Sequence, residues 1–107
     1  MPSYLLQVAY TPEAWSAQLK NPQNRIEAVR PAVERLGGTI EGAWYAFGDY
    51  DLVLVIEMPD NKAAAAFALA AAAGGACKSI KTTPLLTLDE GQLAIQAAGG
   101  TGYAPPA

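Results

Sequence analysis

Hydrophobic side chains alternate with a period of two over residues 4–10: Tyr4, Leu6, Val8 and Tyr10 share one face and Leu5, Gln7 and Ala9 the other, which predicts a first strand. Thr11-Pro12 supplies an N-cap and a first helical residue for a short helical turn reaching about residue 18. Asn21-Pro22 repeats that signal. Ile26, Val29, Val33 and Leu36 then follow at helical spacing, so a longer helix is predicted, stopped by Gly37-Gly38. Pro31 lies inside it, where the absent N–H and the clash with the Glu27 carbonyl cost about 3 kcal/mol, and a kink or a break into two segments is expected.

Strand two is predicted over residues 39–47, with Ile40, Gly42, Trp44 and Ala46 on one face and Glu41, Ala43, Tyr45 and Phe47 on the other. Strand three, residues 51–58, sets Leu52, Leu54, Ile56 and Met58 against Val53, Val55 and Glu57. Residues 63–73 are nearly all alanine, the best helix former, so a helix is predicted over residues 60–73 between a capping Asp60 and a terminating Gly74-Gly75. Its small side chains suit close approach to whatever the helix covers. A fourth strand over residues 77–87 is expected at an edge, or broken, because of Pro84. Thr87 and Glu90 have capping-box spacing for a short terminal helix. The glycine- and proline-rich residues 99–107 read as a frayed tail, leaving one domain over residues 1–98.

The order β, α, β, β, α, β predicts an α+β, ferredoxin-like domain: a four-stranded antiparallel sheet with its two main helices on one face. The other face is left open, yet strands one to three are apolar on both sides, and a monomer rarely exposes so large an apolar patch. The expected partner is a second copy of the chain, giving a homodimer or a higher even-numbered oligomer through the open sheet face.

Composition narrows the function. Seven basic and ten acidic side chains are spread along the chain for a net charge of −3, so neither nucleic acid nor an anionic membrane is an expected partner. The longest apolar run, residues 63–73, is too short for a bilayer, which takes about 20 residues. The start shows no signal-peptide pattern. One cysteine, Cys77, and no histidine exclude an intrachain disulfide and remove the commonest general base and metal ligand. A cytoplasmic protein without cofactor is the expectation.

Several of these segments occur together in a known family. Tyr4-Leu5-Leu6, Asn21-Pro22 to Arg25, Leu36-Gly37-Gly38, Phe47-Gly48-Asp49-Tyr50-Asp51 and the stretch from Ala64 to Leu69 resemble, in order and spacing over residues 3–88, the GYD family. The turn here reads Gly48-Asp49-Tyr50 rather than G-Y-D. The resemblance implies a fold of the dimeric α+β barrel type and no established activity.

Candidate chemistry is sparse. Asp49 and Asp51 flank Tyr50 and could act as an acid–base pair or bind a hard cation, but glycine and aspartate are also favoured turn formers, and no third ligand is visible, so no metal is expected. The aromatic set Tyr4, Tyr10, Trp15, Trp44, Tyr45 and Tyr50 suits core, interface or pocket wall alike, and Trp44 and Tyr45 must face opposite sides of the sheet. Arg25, Arg30 and Arg35 wind around their helix; Arg25, near its start, can take a carboxylate in its planar fork. Tyr10, Arg25, Trp44, Asp49 and Tyr50 are therefore the candidate ligand-binding residues. Cys77, lacking a histidine base, reads as structural. With no catalytic constellation, a small apolar or aromatic ligand bound without catalysis between helices and sheet, or a structural role, is the first expectation. A cofactor-independent monooxygenase- or isomerase-like enzyme, by analogy of fold, and a regulatory module using a sheet edge are the alternatives.

Overall fold

A computed structural model describes residues 1–106; of the expected tail, Ala107 lies outside the described residues. The chain runs β1 (Ser3–Tyr10), α1 (Pro12–Lys20), α2 (Arg25–Arg35), β2 (Thr39–Tyr45), β3 (Leu52–Glu57), α3 (Asn61–Ala73), β4 (Cys77–Leu85) and α4 (Leu88–Gly99). The strands form one antiparallel sheet in the order β2-β3-β1-β4. This is the expected ferredoxin-like α+β arrangement, with an additional regular helix, α1, in the first connection.

Burial separates the two faces. On the helical side Tyr4 and Leu6 of β1 and Leu54 and Ile56 of β3 pack with Val33 of α2, Ala63, Ala64 and Phe67 of α3, and Met58, while Val8, Tyr10 and Leu52 form a second buried cluster against Trp15, Ile26 and Ile80. The alanines of α3 contribute by being small. The Tyr4 hydroxyl, carried into this core, donates to Asn61 Oδ1 at 2.6 Å and so is not left unpaired.

Local details correct the expectations. Asn21 ends α1 and does not begin α2; Asn24 caps α2, its side chain accepting from Ile26 N and Glu27 N. α2 is one continuous helix with Pro31 inside it, not two segments. Of the two outcomes expected from Pro84, β4 takes the edge position and is not broken, with Pro84 paired to Tyr4 where proline is tolerated. β2 ends at Tyr45, two residues before the expected end.

Two register shifts matter most. Ile40 faces Ile56, but Gly42 faces Val55, so Glu41 is an extra residue and the alternation of β2 reverses after it. Ile40, Ala43 and Tyr45 thus stand opposite the inward residues Ile56, Leu54 and Leu52, while Gly42 and Trp44 fall on the open face opposite Val55 and Val53. That corrects the predicted grouping of Ile40 with Trp44. A second shift lets Tyr10 pair with Cys77 after Ala9 pairs with Ser79, skipping Lys78. The bulge in β4 keeps Lys78 off the helical side and places Cys77 there, and the bulge in β2 turns Trp44 outward and Ala43 and Tyr45 inward.

The two glycines after α2 serve different ends. Gly37 has φ +87°, a left-handed conformation open to glycine, and closes the helix through its N–H to Glu34 O at 2.9 Å. Gly38 is buried, and any β-carbon there would meet the Met58 sulfur and the Glu57 carbonyl. Leu36-Gly37-Gly38 is therefore a packing requirement as well as a stop.

α4 stands apart. It begins with a complete capping box between Thr87 and Glu90, yet buries none of its residues. The radius of gyration is 17.1 Å, against about 13 Å for a compact 100-residue domain, and the long axis is 57 Å. No helix among the described residues is long and apolar enough to cross a membrane.

Candidate functional site

The first turn of α2, the end of β1 and the start of β4 meet above the helical face of the sheet. Tyr10 closes β1, Arg25 opens α2, and the bulge at Lys78 turns Cys77 toward Tyr10. Together they border a cavity of about 230 Å³ under α2 and α3, whose remaining wall includes Val8, Val29, Leu52, Leu54, Phe67 and Ile80. Tyr10, Arg25 and Ala76 also border a second cavity of about 340 Å³, walled by Ala14, Ala17, Gln18, Asn21 and Gln23 from α1 and the loop after it. Tyr10 and Arg25 thus line both an apolar inner chamber and a more polar outer one.

Electrostatics at the boundary follow from burial and one cation. Burial pushes the Tyr10 phenol above its ordinary value of 10.0, and the charge and hydrogen-bonding reach of Arg25 act against that rise. Cys77 is likewise raised by burial, with Arg25 opposing. Both stay protonated and neutral at physiological pH, so Cys77 lacks the thiolate character of a reactive cysteine. Arg30 is paired with Glu27 at 3.2 Å, whereas Arg25 forms no ion pair among the described residues.

The turn that carries the sequence motif does something else. Asp51 Oδ2 accepts from Tyr10 N at 2.9 Å and from Trp15 Nε1 at 3.3 Å. Its backbone N–H donates to Val8 O at 2.8 Å, and its carbonyl accepts from Ala46 N at 2.9 Å. One aspartate therefore ties the β2–β3 turn to β1 and α1, and fixes Trp15 edge-on to Tyr10 with ring centroids 5.4 Å apart. Gly48 supplies φ +154°, which a side chain would disfavour. Asp49 is exposed, and neither it nor Tyr50 borders the two cavities beside Arg25. No group of three or more acidic, cysteine or histidine side chains is placed to hold a metal among the described residues.

The aromatic residues divide as their bulge-shifted register requires. Trp44 lies on the open face, 59% exposed, with its ring across Gly42, where a β-carbon would come within 2.7 Å of it. Tyr45 takes the helical side at the β2 edge and lines a broad groove of about 580 Å³ with Gln23, Asn24, Arg30 and Glu41. Of the sequence candidates, the structure brings Tyr10 and Arg25 together and leaves Trp44, Asp49 and Tyr50 apart from them. Cys77 was legible only as a lone thiol beside Lys78; the bulge that turns it inward has no local sequence signal.

Known proteins place this geometry. Solved structures with a similar fold include MtbAldR, 14% identical with a TM-score of 0.60 over 98% of this chain and 58% of that one. TTHA0845 from Thermus thermophilus is 14% identical with a TM-score of 0.53, over 81% of this chain and 95% of that one. FFRP-DM1 is 14% identical with a TM-score of 0.50, over 80% of this chain and 100% of that one. At such identities the likeness shows the fold alone, and the chain spans only 58% of the length of MtbAldR. No curated protein matches the sequence significantly. The family model of the GYD domain matches residues 4–95, so the chain belongs to the GYD domain family.

Proposed function

We propose that this protein is a homodimer, or a higher even-numbered oligomer, that holds a small apolar or aromatic molecule between its sheet and α2 and α3 without transforming it. The observation that carries the binding reading is the guanidinium of Arg25, without an ion-pair partner among the described residues, beside the Tyr10 hydroxyl at the border of an otherwise apolar chamber. Apolar pockets with a few convergent polar groups are the usual form of small-molecule sites. Binding is favoured over catalysis because a general acid or base works best with a pKa near the operating pH. Burial raises the pKa of Tyr10 and of Cys77 further above neutral pH, and a guanidinium does not deprotonate.

Two features support association with a second copy. The open face presents Leu5, Val53, Val55 and the exposed Trp44 in adjacent strands. Next to it, Leu85 ends β4, and α4 follows with Leu88, Leu93 and Ile95 exposed. A 12-residue helix is marginal by itself in water, so a well-capped apolar one with nothing buried calls for cover. A sheet face and a helix together match the roughly 800 Å² per partner of a standard interface. The edges are poor alternatives for strand addition, since β2 carries a bulge and β4 a proline. A single, partly buried thiol suits a cytoplasmic setting.

The test is the mass in solution by sedimentation, for the wild type and for Val55→Glu, which puts a charge in the middle of the open face. The wild type should sediment as an even multiple of 11.2 kDa, and the variant as a folded species of lower mass. A wild-type monomer at micromolar concentration would remove the oligomer reading.

A further inference from the structure

We propose that the cavity beside Arg25 selects a small monocarboxylic acid with a compact apolar body, the carboxylate held by the Arg25 guanidinium and the Tyr10 hydroxyl; this rests on the reading of the cavity as a ligand site. Among the residues bordering the inner and outer chambers, Arg25 is the single charged side chain. Tyr10 and Cys77 are neutral, and Gln18, Asn21 and Gln23 are polar without charge. The protein's own side chains therefore give the site one net positive charge, half-buried and uncompensated, whereas five residues further on Arg30 has its carboxylate in Glu27.

Desolvating a charge is costly unless it is paired, and a half-buried guanidinium is in part desolvated, so a ligand bringing one negative charge completes what the protein leaves open. The planar fork of a guanidinium matches the two oxygens of a carboxylate, and a phenolic O–H can donate a third hydrogen bond. A phosphate dianion fits less well, since one cation would face two charges in a protein whose net charge is −3. The start of α2 offers no alternative anion site, because Asn24 Oδ1 already occupies Ile26 N and Glu27 N. Selection for the anion thus falls to the Arg25 side chain.

Volume limits the rest of the molecule. A dry apolar cavity of about 150 Å³ accommodates benzene, so about 230 Å³ takes a phenyl ring with a methylene, or a branched chain of similar bulk. The wall of Val8, Val29, Leu52, Leu54, Phe67 and Ile80 offers no hydrogen-bonding side chain, so the body must be apolar. The head group lies at the border with the outer chamber, where Gln18, Asn21 and Gln23 can hold water around the second edge of the carboxylate.

The experiment is calorimetric titration of the intact protein with phenylacetate and isovalerate, each against its neutral alcohol, for the wild type, Arg25→Gln, Arg25→Lys and Ala71→Leu. Both arginine variants lie at a half-exposed position, and circular dichroism verifies that they fold. The acids should bind the wild type at least tenfold more tightly than the alcohols, lose at least tenfold in Arg25→Gln and recover part of it in Arg25→Lys. Ala71 of α3 also borders the inner chamber, so Ala71→Leu, which fills it, should weaken acids and alcohols alike. Alcohols binding as tightly as acids, or acids indifferent to Arg25→Gln, would overturn the selection for carboxylate while leaving the cavity as an apolar site. Absence of binding by every compound would overturn both.

Discussion

Asp51 distinguishes a structural role from a chemical one by the sign of a stability change. In Asp51→Ala, Tyr10 N loses its acceptor in a residue only 6% exposed, and a buried donor without a partner costs about 1–3 kcal/mol. The longer bond from Trp15 Nε1, at 3.3 Å, adds about 0.5 kcal/mol at most beyond what water can replace. The expected loss is therefore about 2–3 kcal/mol, and about 1 kcal/mol for Asp51→Asn, which keeps one oxygen for Tyr10 N. In a domain of this size each kcal/mol moves the melting temperature by about 4–8 °C, so Asp51→Ala should melt about 8–24 °C lower. Urea denaturation followed by tryptophan fluorescence measures the difference, at one fixed protein concentration because the proposed association would make the midpoint depend on concentration. A variant as stable as the wild type, or more stable, would refute the reasoning, since residues retained for chemistry commonly cost stability.

Gly38→Ala should lose about 1–3 kcal/mol in the same assay, because the new methyl group meets the Met58 sulfur and the fixed Glu57 carbonyl; an unchanged midpoint would mean that β3 and α2 can part without cost. Pro31→Ala should gain up to about 3 kcal/mol by restoring the bond to the Glu27 carbonyl on an exposed part of α2, and a loss would show that the proline serves packing. Cys77, raised above its usual 9.0 by burial, should react with a thiol reagent at pH 8 more slowly than free cysteine and reach the free rate in urea. Since the unfolded thiol releases its proton first, stability should fall as the pH rises above about 9, a slope that Cys77→Ala should reduce, and the opposite slope would contradict the burial.

The topology was legible because its signals are local. Alternation in β1 and β3, the alanine helix, and Gly37-Gly38 each specify an element from a few neighbouring residues, and their order specifies the sheet. The site was legible only in part. Arg25 and Tyr10 were visible as residue types suited to binding, but their meeting depends on where α2 begins, and Asn21 and Asn24 carry similar capping signals in sequence. The bulges at Glu41 and Lys78 answer to the packing of the whole sheet, which sends Trp44 outward and Cys77 inward; no period within β2 or β4 announces them. Asp51 belongs to the same class. Its partners Tyr10 and Trp15 lie 41 and 36 residues away, so its service as a tie emerges only when β1, α1 and the turn converge.

Native mass spectrometry of the protein purified from its own host tests the account most directly. An even-numbered assembly of the 11.2 kDa chain, carrying a reproducible adduct with the mass of a small monocarboxylic acid that Arg25→Gln releases, is the expected result. A bare monomer would contradict both the covered sheet face and the occupied cavity.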